Sequence, residues 1–149
     1  MYIFEGIYCR TYQAFLRAAL PVLPYREPER LESIDKIPDL LKQLSVSSVL
    51  LVTDSTLCKA DIATRLISHL VECGINCAIY DGVNPNPTVH NVDEAFKVYR
   101  EHDAKAIIAF GGGSPMDCAK AVGARAAYPK KGVNKMKDVE AAEKSTILF

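Results

Sequence analysis

Three short apolar runs, Val49-Leu50-Leu51-Val52, Cys77 to Tyr80 and Ala106 to Phe110, recur with a helix-length stretch between each and the next. A strand with one wet face alternates apolar and polar residues. An unbroken apolar run such as Val49 to Val52 or Ala106 to Phe110 is expected of a strand buried on both faces, the condition of a parallel sheet covered by helices. Cys77 to Tyr80 reads as a further strand. The intervening stretches carry helical spacing. Ile34 to Leu44 reads as a short amphipathic helix, and Lys59 to Cys73 places Ile62, Leu66, Leu70 and Cys73 on one face before Gly74 ends it. Thr88 can cap a helix running to about His102, with Val89, Val92, Phe96 and Tyr99 inward, and Ser114 to Ala127 forms the next. Thr146 to Phe149 reads as the start of a fourth strand. Strands and helices in this alternation build βαβ units and an α/β fold with a doubly wound parallel sheet.

Ahead of this pattern, Tyr8 to Leu20 has helical spacing, and Pro21, Pro24 and Pro28 then force an extended linker. The organisation expected is a helical extension and linker over residues 1–30 and an α/β domain over 31–149.

In a doubly wound sheet, ligands bind beyond the carboxyl ends of the strands. The loop after the third run is Gly111-Gly112-Gly113-Ser114-Pro115-Met116-Asp117. Three glycines at a strand-to-helix junction let the backbone approach a ligand closely. Ser114 is expected at the N-cap, Pro115 at the first helical position and Asp117 two residues on. A helix N-terminus of this kind attracts a phosphate or pyrophosphate. The spacing is not GxGxxG, so the usual dinucleotide fingerprint is absent.

Asp54 follows the first run, where a carboxylate can accept hydrogen bonds from a ribose diol, although the same residue can serve simply as a helix cap. Asn84-Pro85-Asn86-Pro87-Thr88 follows the second. Its prolines fix an extended loop from which Asn86 could reach a ligand, or which is a plain turn. His69, His90 and His102 have no metal-ligand spacing and read as surface or packing residues.

Composition narrows the class. Lys plus Arg and Asp plus Glu are 18 each, so there is no positive surplus to suggest a nucleic-acid partner. The lysines at 130, 131, 135 and 137 are followed by Asp138, Glu140 and Glu143 and read as a solvated segment. No apolar run approaches the roughly 20 residues that span a bilayer, and Met1 to Arg10 does not have the form of a secretory signal. The five cysteines form no CxxC pair. Reduced thiols in a cytoplasmic protein are therefore expected, with no membrane association.

Taken together, VLLVTDSTL, AIYDGVNPNPT and AIIAFGGGSPMDCAK stand in the order and spacing of the iron-containing, group III alcohol dehydrogenases. The chain from about Leu31 onward resembles the nucleotide-binding half of that family. Glycerol dehydrogenases and dehydroquinate synthases share the fold but usually differ just after the glycines. Tyr8 to Glu32 resembles an N-terminal extension found in some members. The resemblance implies a Rossmann-like doubly wound sheet of the dehydroquinate synthase-like N-terminal type. It also implies an oxidoreductase that moves hydride between NAD, rather than NADP, and a primary alcohol or aldehyde. By position, Gly111, Gly112, Gly113 and Ser114 would hold the cofactor pyrophosphate. Asp54 would bind the adenosine ribose and favour NAD, Asn86 would contact the cofactor, and Asp117 would lie near its nicotinamide end.

No catalytic residue is implied within this stretch. In the family an Asp and three His on a downstream helical domain bind a divalent metal such as iron or zinc, and a threonine-rich loop after the fourth strand cradles the adenine side. Neither has a counterpart here, so the expectation is a truncated nucleotide-binding part of a homo-oligomeric parent. Alone it should bind little metal, lack activity and tend to self-associate. A stand-alone, non-catalytic nucleotide-binding or interaction module is the alternative.

Overall fold

The computed structural model describes residues 31–128 and 146–148. The expected helix over Tyr8–Leu20, the proline linker, Cys9 and the Lys130–Glu143 segment lie outside them. The chain divides into two compact units, Met1–Leu31 and Glu32–Phe149.

Strands β1 (Ser48–Val52), β2 (Asn76–Tyr80), β3 (Ala106–Ala109) and β4 (Thr146–Leu148) form one sheet in the order β2-β1-β3-β4. Every pairing is parallel, with Val52 opposite both Tyr80 and Ala109. All residues of β1 and β3 are buried, as the unbroken apolar runs require. Along β2, at the edge among the described residues, Ile79 is 39% exposed.

The helices are α1 (Ile37–Gln43), α2 (Ser55–Cys58), α3 (Asp61–Glu72), α4 (Val89–Glu101) and α5 (Gly113–Ala127), with a 3-10 turn at Ile34–Lys36. Side chains alternate across β1, so it feeds two cores. Leu50 and Val52 pack with Val92, Ala95 and Phe96 of α4 and Cys118, Ala119 and Val122 of α5. Val49 and Leu51 pack with Leu41 of α1 and Leu66 and Leu70 of α3. These two cores are the physical content of a doubly wound sheet.

Several boundaries differ from expectation. The helix expected over Lys59–Cys73 is split: α2 ends at Cys58, and extended Ala60 precedes α3. The restart turns the buried stripe to Ala63, Leu66 and Leu70, leaving Ile62 57% exposed. Gly74 follows α3 with φ +75, as a helix-ending glycine should. Thr88 does cap α4, yet Val89, the first residue of the helix, is 40% exposed. Buried Asn91 takes the inward place instead. Arg125 of α5 ties the two helices on that face: it pairs with Asp93 at 2.6 Å and lies over the Phe96 ring at 5.0 Å. Cys58, Cys73, Cys77 and Cys118 are free thiols, and burial pushes Cys77 and Cys118 up to about 11, which keeps them protonated and unreactive at neutral pH.

Leu66 is almost wholly buried between α3 and the sheet. Leu66→Ala should therefore cost about 2–5 kcal/mol in denaturant unfolding, whereas Ile62→Ala should stay within about 1 kcal/mol.

Candidate functional site

The chain order reverses at β1: β2 lies on one side and β3 on the other. That makes the carboxyl ends of β1 and β3 the switch point, where a crevice opens because successive connections leave in opposite directions. The Phe110 amide donates to the Val52 carbonyl at 2.9 Å, so the two chains stay paired one step past the strands. Beyond it Asp54 stands on one side and Gly111 on the other.

Gly111 has φ +140, which an L side chain rarely adopts. A Cβ there would lie 2.8 Å from Leu57 Cδ1 and 2.9 Å from Pro115 Cγ. Leu57 belongs to α2, the helix that Asp54 starts, so the structure brings the Asp54 side and the glycine loop into contact. Around Gly112 and Gly113, by contrast, a Cβ would meet nothing within 4 Å, leaving open space in front of the loop.

The helix start differs from expectation. Gly112, not Ser114, is the N-cap, and no side chain caps it. Ser114 and Pro115 are the second and third helical residues. Asp117 lies past them, 70% exposed in its side chain and 3.9 Å from Lys120. The chain bends at Gly111, whose φ of +140 suits glycine, and it enters the helix directly after, two residues earlier than expected. The consequence favours an anion: first-turn amides have no partner within a helix, and here no serine cap takes them up. Pro115 has no amide to offer, so Gly113 and Ser114 are the donors at the helix mouth.

Asp54 acts as the N-cap of α2. Its Oδ1 accepts from the Thr56 and Leu57 amides, both at 2.9 Å. The capping reading of this residue is therefore realised, with Oδ2 left outside those bonds. Next to it, Thr53 is fully buried and its Oγ1 has no hydrogen-bond partner. The Thr53 amide donates to the Tyr80 carbonyl at 2.9 Å, which ties the third loop to the same edge.

That third loop, residues 81–88, leaves β2 and meets the first again through an antiparallel bridge between Asp54 and Gly82. Asn86 is exposed and has φ +58. Pro87 steers the residue before it away from the right-handed helical region, and asparagine tolerates the left-handed one better than most. Asn86 makes no hydrogen bond to Asp54 or to the glycine loop.

The residue that sequence reasoning missed is Asn91. It is 4% exposed and makes a capping box with Thr88. Its Oδ1 accepts from the Thr88 amide at 3.0 Å, and its Nδ2 donates to the Gly82 carbonyl at 3.0 Å and to Tyr80 Oη at 3.2 Å. Tyr80 Oη donates in turn to Glu94 Oε2 at 3.0 Å. Burial, together with Glu94, pushes the Tyr80 phenol up to about 12, so it remains a donor throughout the neutral range. The Thr-x-x-Asn spacing at 88–91 was the available signal.

A divalent metal has no home among these residues. No group of three or more His, Cys, Asp or Glu that could hold an ion exists among the described residues. The histidines are separately engaged: His69 is 3.6 Å from Asp35, His90 is 3.3 Å from Glu94, and His102 lies 3.1 Å from the Val98 carbonyl. A cleft of about 440 Å³ lined by Asp93, Phe96, Lys97, Arg100, Glu101 and Arg125 lies on the α4–α5 face and includes none of the crevice residues. No helix among the described residues is long and apolar enough to cross a membrane.

With this geometry in hand, comparisons place the chain. The family model for iron-containing alcohol dehydrogenase matches residues 30–148. A long-chain primary alcohol dehydrogenase of Thermoanaerobacter ethanolicus is 42% identical over 108 residues, covering 70% of this chain and 27% of that protein. A lactaldehyde reductase of Escherichia coli is 37% identical over 91 residues, covering 61% and 24%. Among solved structures, NADH-dependent butanol dehydrogenase A of Thermotoga maritima superposes with a TM-score of 0.71 at 27% identity, covering 84% of this chain and 33% of that one. The chain thus spans about a quarter to a third of the length of such relatives.

Gly111→Ala should destabilise the fold by about 1–3 kcal/mol, through its backbone angle and the Leu57 contact. Gly113→Ala, inside a helix and facing open space, should be neutral or stabilising by up to about 1 kcal/mol. Equilibrium unfolding in urea separates the two.

Proposed function

The chain belongs to the iron-containing alcohol dehydrogenase family, and on that premise we propose that residues 31–149 are the NAD-binding part of an enzyme that moves hydride between NAD and a primary alcohol or aldehyde. The observation that carries the proposal is the mouth of α5. An uncapped helix N-terminus behind a glycine loop stands at the sheet's switch point, with a carboxylate on the facing side of the crevice.

In this reading the amides of Gly113 and Ser114, with the Gly111–Gly112 backbone, receive the pyrophosphate. Asp54 offers Oδ2 to the adenosine ribose diol while Oδ1 keeps its helix, and its charge disfavours a 2′-phosphate. Asn86 touches the dinucleotide from the third loop, and Asp117 lies towards the nicotinamide. The residues fit the group on two grounds: the close approach at Gly111, and the unfilled space before Gly112 and Gly113. Bound NAD supplies the hydride acceptor, while the protein binds and orients it. The described residues do not fit iron or zinc. The metal of the family, and the alcohol pocket with it, are proposed to lie on the remaining part of a full-length, homo-oligomeric, cytoplasmic enzyme.

Titrating NAD or ADP-ribose while following backbone amide shifts tests the assignment. The largest shifts should fall at residues 111–117, and a maximum elsewhere removes the loop from the site. Gly113→Ala should weaken NAD binding although it does not weaken the fold, because its methyl takes the space of the phosphate.

Asp54→Gly should narrow the ratio of NAD to NADP affinity. Glycine is a tolerable N-cap, costing a few tenths of a kcal/mol relative to Asp, so the fold survives the change. An unchanged ratio excludes Asp54 from the ribose site.

A further inference from the structure

We propose that Asn91 is a positioning residue that clamps both ends of the loop over residues 82–88 and thereby holds Asn86 where the dinucleotide meets it. The proposal rests on the NAD-binding reading above and adds to it a residue outside the crevice.

The loop has little else to fix it. Asn84, Pro85 and Asn86 are exposed, and within this stretch only Val83 is buried. Its backbone anchor to β1, from the Val83 amide to the Thr53 carbonyl, is long at 3.4 Å. Asn86 also sits at φ +58, a conformation that asparagine tolerates but that leaves it other options once the loop is loose.

Asn91 holds both ends of the loop from one side chain. Its oxygen holds Thr88, at the exit of the loop, through the amide at 3.0 Å and the hydroxyl at 3.2 Å. Its nitrogen holds Gly82, at the entry, and is steadied by Tyr80 Oη. Gly82 is confined on its other side, since a Cβ there would come within 3.0 Å of Tyr80 Cζ and Oη. Asn91 and Tyr80 are buried although Gly82 and Thr88 are exposed, so the alternative for the Asn91 amide is a desolvated polar group without a partner. An asparagine used only to cap a helix needs its oxygen alone. The two bonds made by Nδ2 serve the loop.

Asn91→Asp separates those two jobs. The carboxylate keeps an oxygen for the Thr88 amide, so the helix start survives, but it cannot donate to the Gly82 carbonyl. Two readouts follow. In the absence of ligand, amide hydrogen exchange at Val83 should speed up, while Thr88 and the β1 and β3 amides exchange as before. On titration with NAD, the apparent Kd should rise about tenfold, as expected if only one loop in about ten remains competent. The NAD-induced shift at Asn86 should shrink while those at Gly111–Gly113 persist, which general destabilisation would not produce. Tyr80→Phe, which removes one of the two Nδ2 partners and spares the cap, should give the same pattern in weaker form.

Unchanged exchange at Val83 in Asn91→Asp overturns the proposal, whether or not NAD binds. So does an unaltered Asn86 shift and NAD affinity in a variant whose Val83 exchange has risen. Failure of the unaltered chain to bind NAD instead overturns the cofactor reading, and with it the role of the clamp in binding.

Discussion

Everything in this domain depends on β1 being paired on both edges and packed on both faces. Its carbonyls and amides are spoken for by β2 and β3, and its side chains alternate between a core under α4 and α5 and another under α1 and α3. A strand so enclosed has no freedom to slip, because a one-residue shift would turn every side chain to the wrong core. Its end is therefore a fixed point, and the three loops of the crevice are referenced to it. Phe110 pairs with Val52, Thr53 pairs with the Tyr80 carbonyl, and Gly82 bridges to Asp54.

From that fixed point the site is assembled by short backbone steps. The glycine loop turns early, so the helix mouth faces the crevice uncapped, while the opposite loop starts its own short helix from a carboxylate. One side of the crevice thus presents amide hydrogens and the other an acceptor, which is the polarity that a phosphate on one side and a sugar diol on the other would call for.

The strands were legible because double burial demands apolar runs, and VLLV and AIIAF can hardly serve elsewhere. The crevice was legible because loops at strand ends follow from strand order. Helix phase was less so. Ile62 and Ala63 both suit an inward face, and the break at Ala60, which decides between them, comes from an unremarkable residue in an extended conformation. The start of α5 was misjudged because Ser and Pro are good caps in general, while the turn at Gly111 acts before either is reached. Asn91 was legible only as a capping partner of Thr88: inside an apolar helical stripe an asparagine looks like an interruption, and its partners on Tyr80 and Gly82 are gathered from the strand and the loop only on folding. The family resemblance carried the assignment of Asp54 and Asn86 further than their own chemistry could.

The double duty of Asp54 has a bearing on how coenzyme preference can change in such a domain. One oxygen of its carboxylate is built into the beginning of α2, and that helix carries the Leu57 side chain lying against Gly111. A lysine or arginine at this position would welcome a 2′-phosphate but has no acceptor to offer the Thr56 and Leu57 amides. The residues that suit this cap, serine or asparagine by accepting from the amides and glycine by leaving them to water, bring no positive charge. On the proposed reading no single replacement does both, so a lineage moving from one coenzyme to the other has to change two positions: a neutral cap here, and a cation arriving from a neighbouring element. Selectivity for the nucleotide and the shape of its phosphate seat are inherited together.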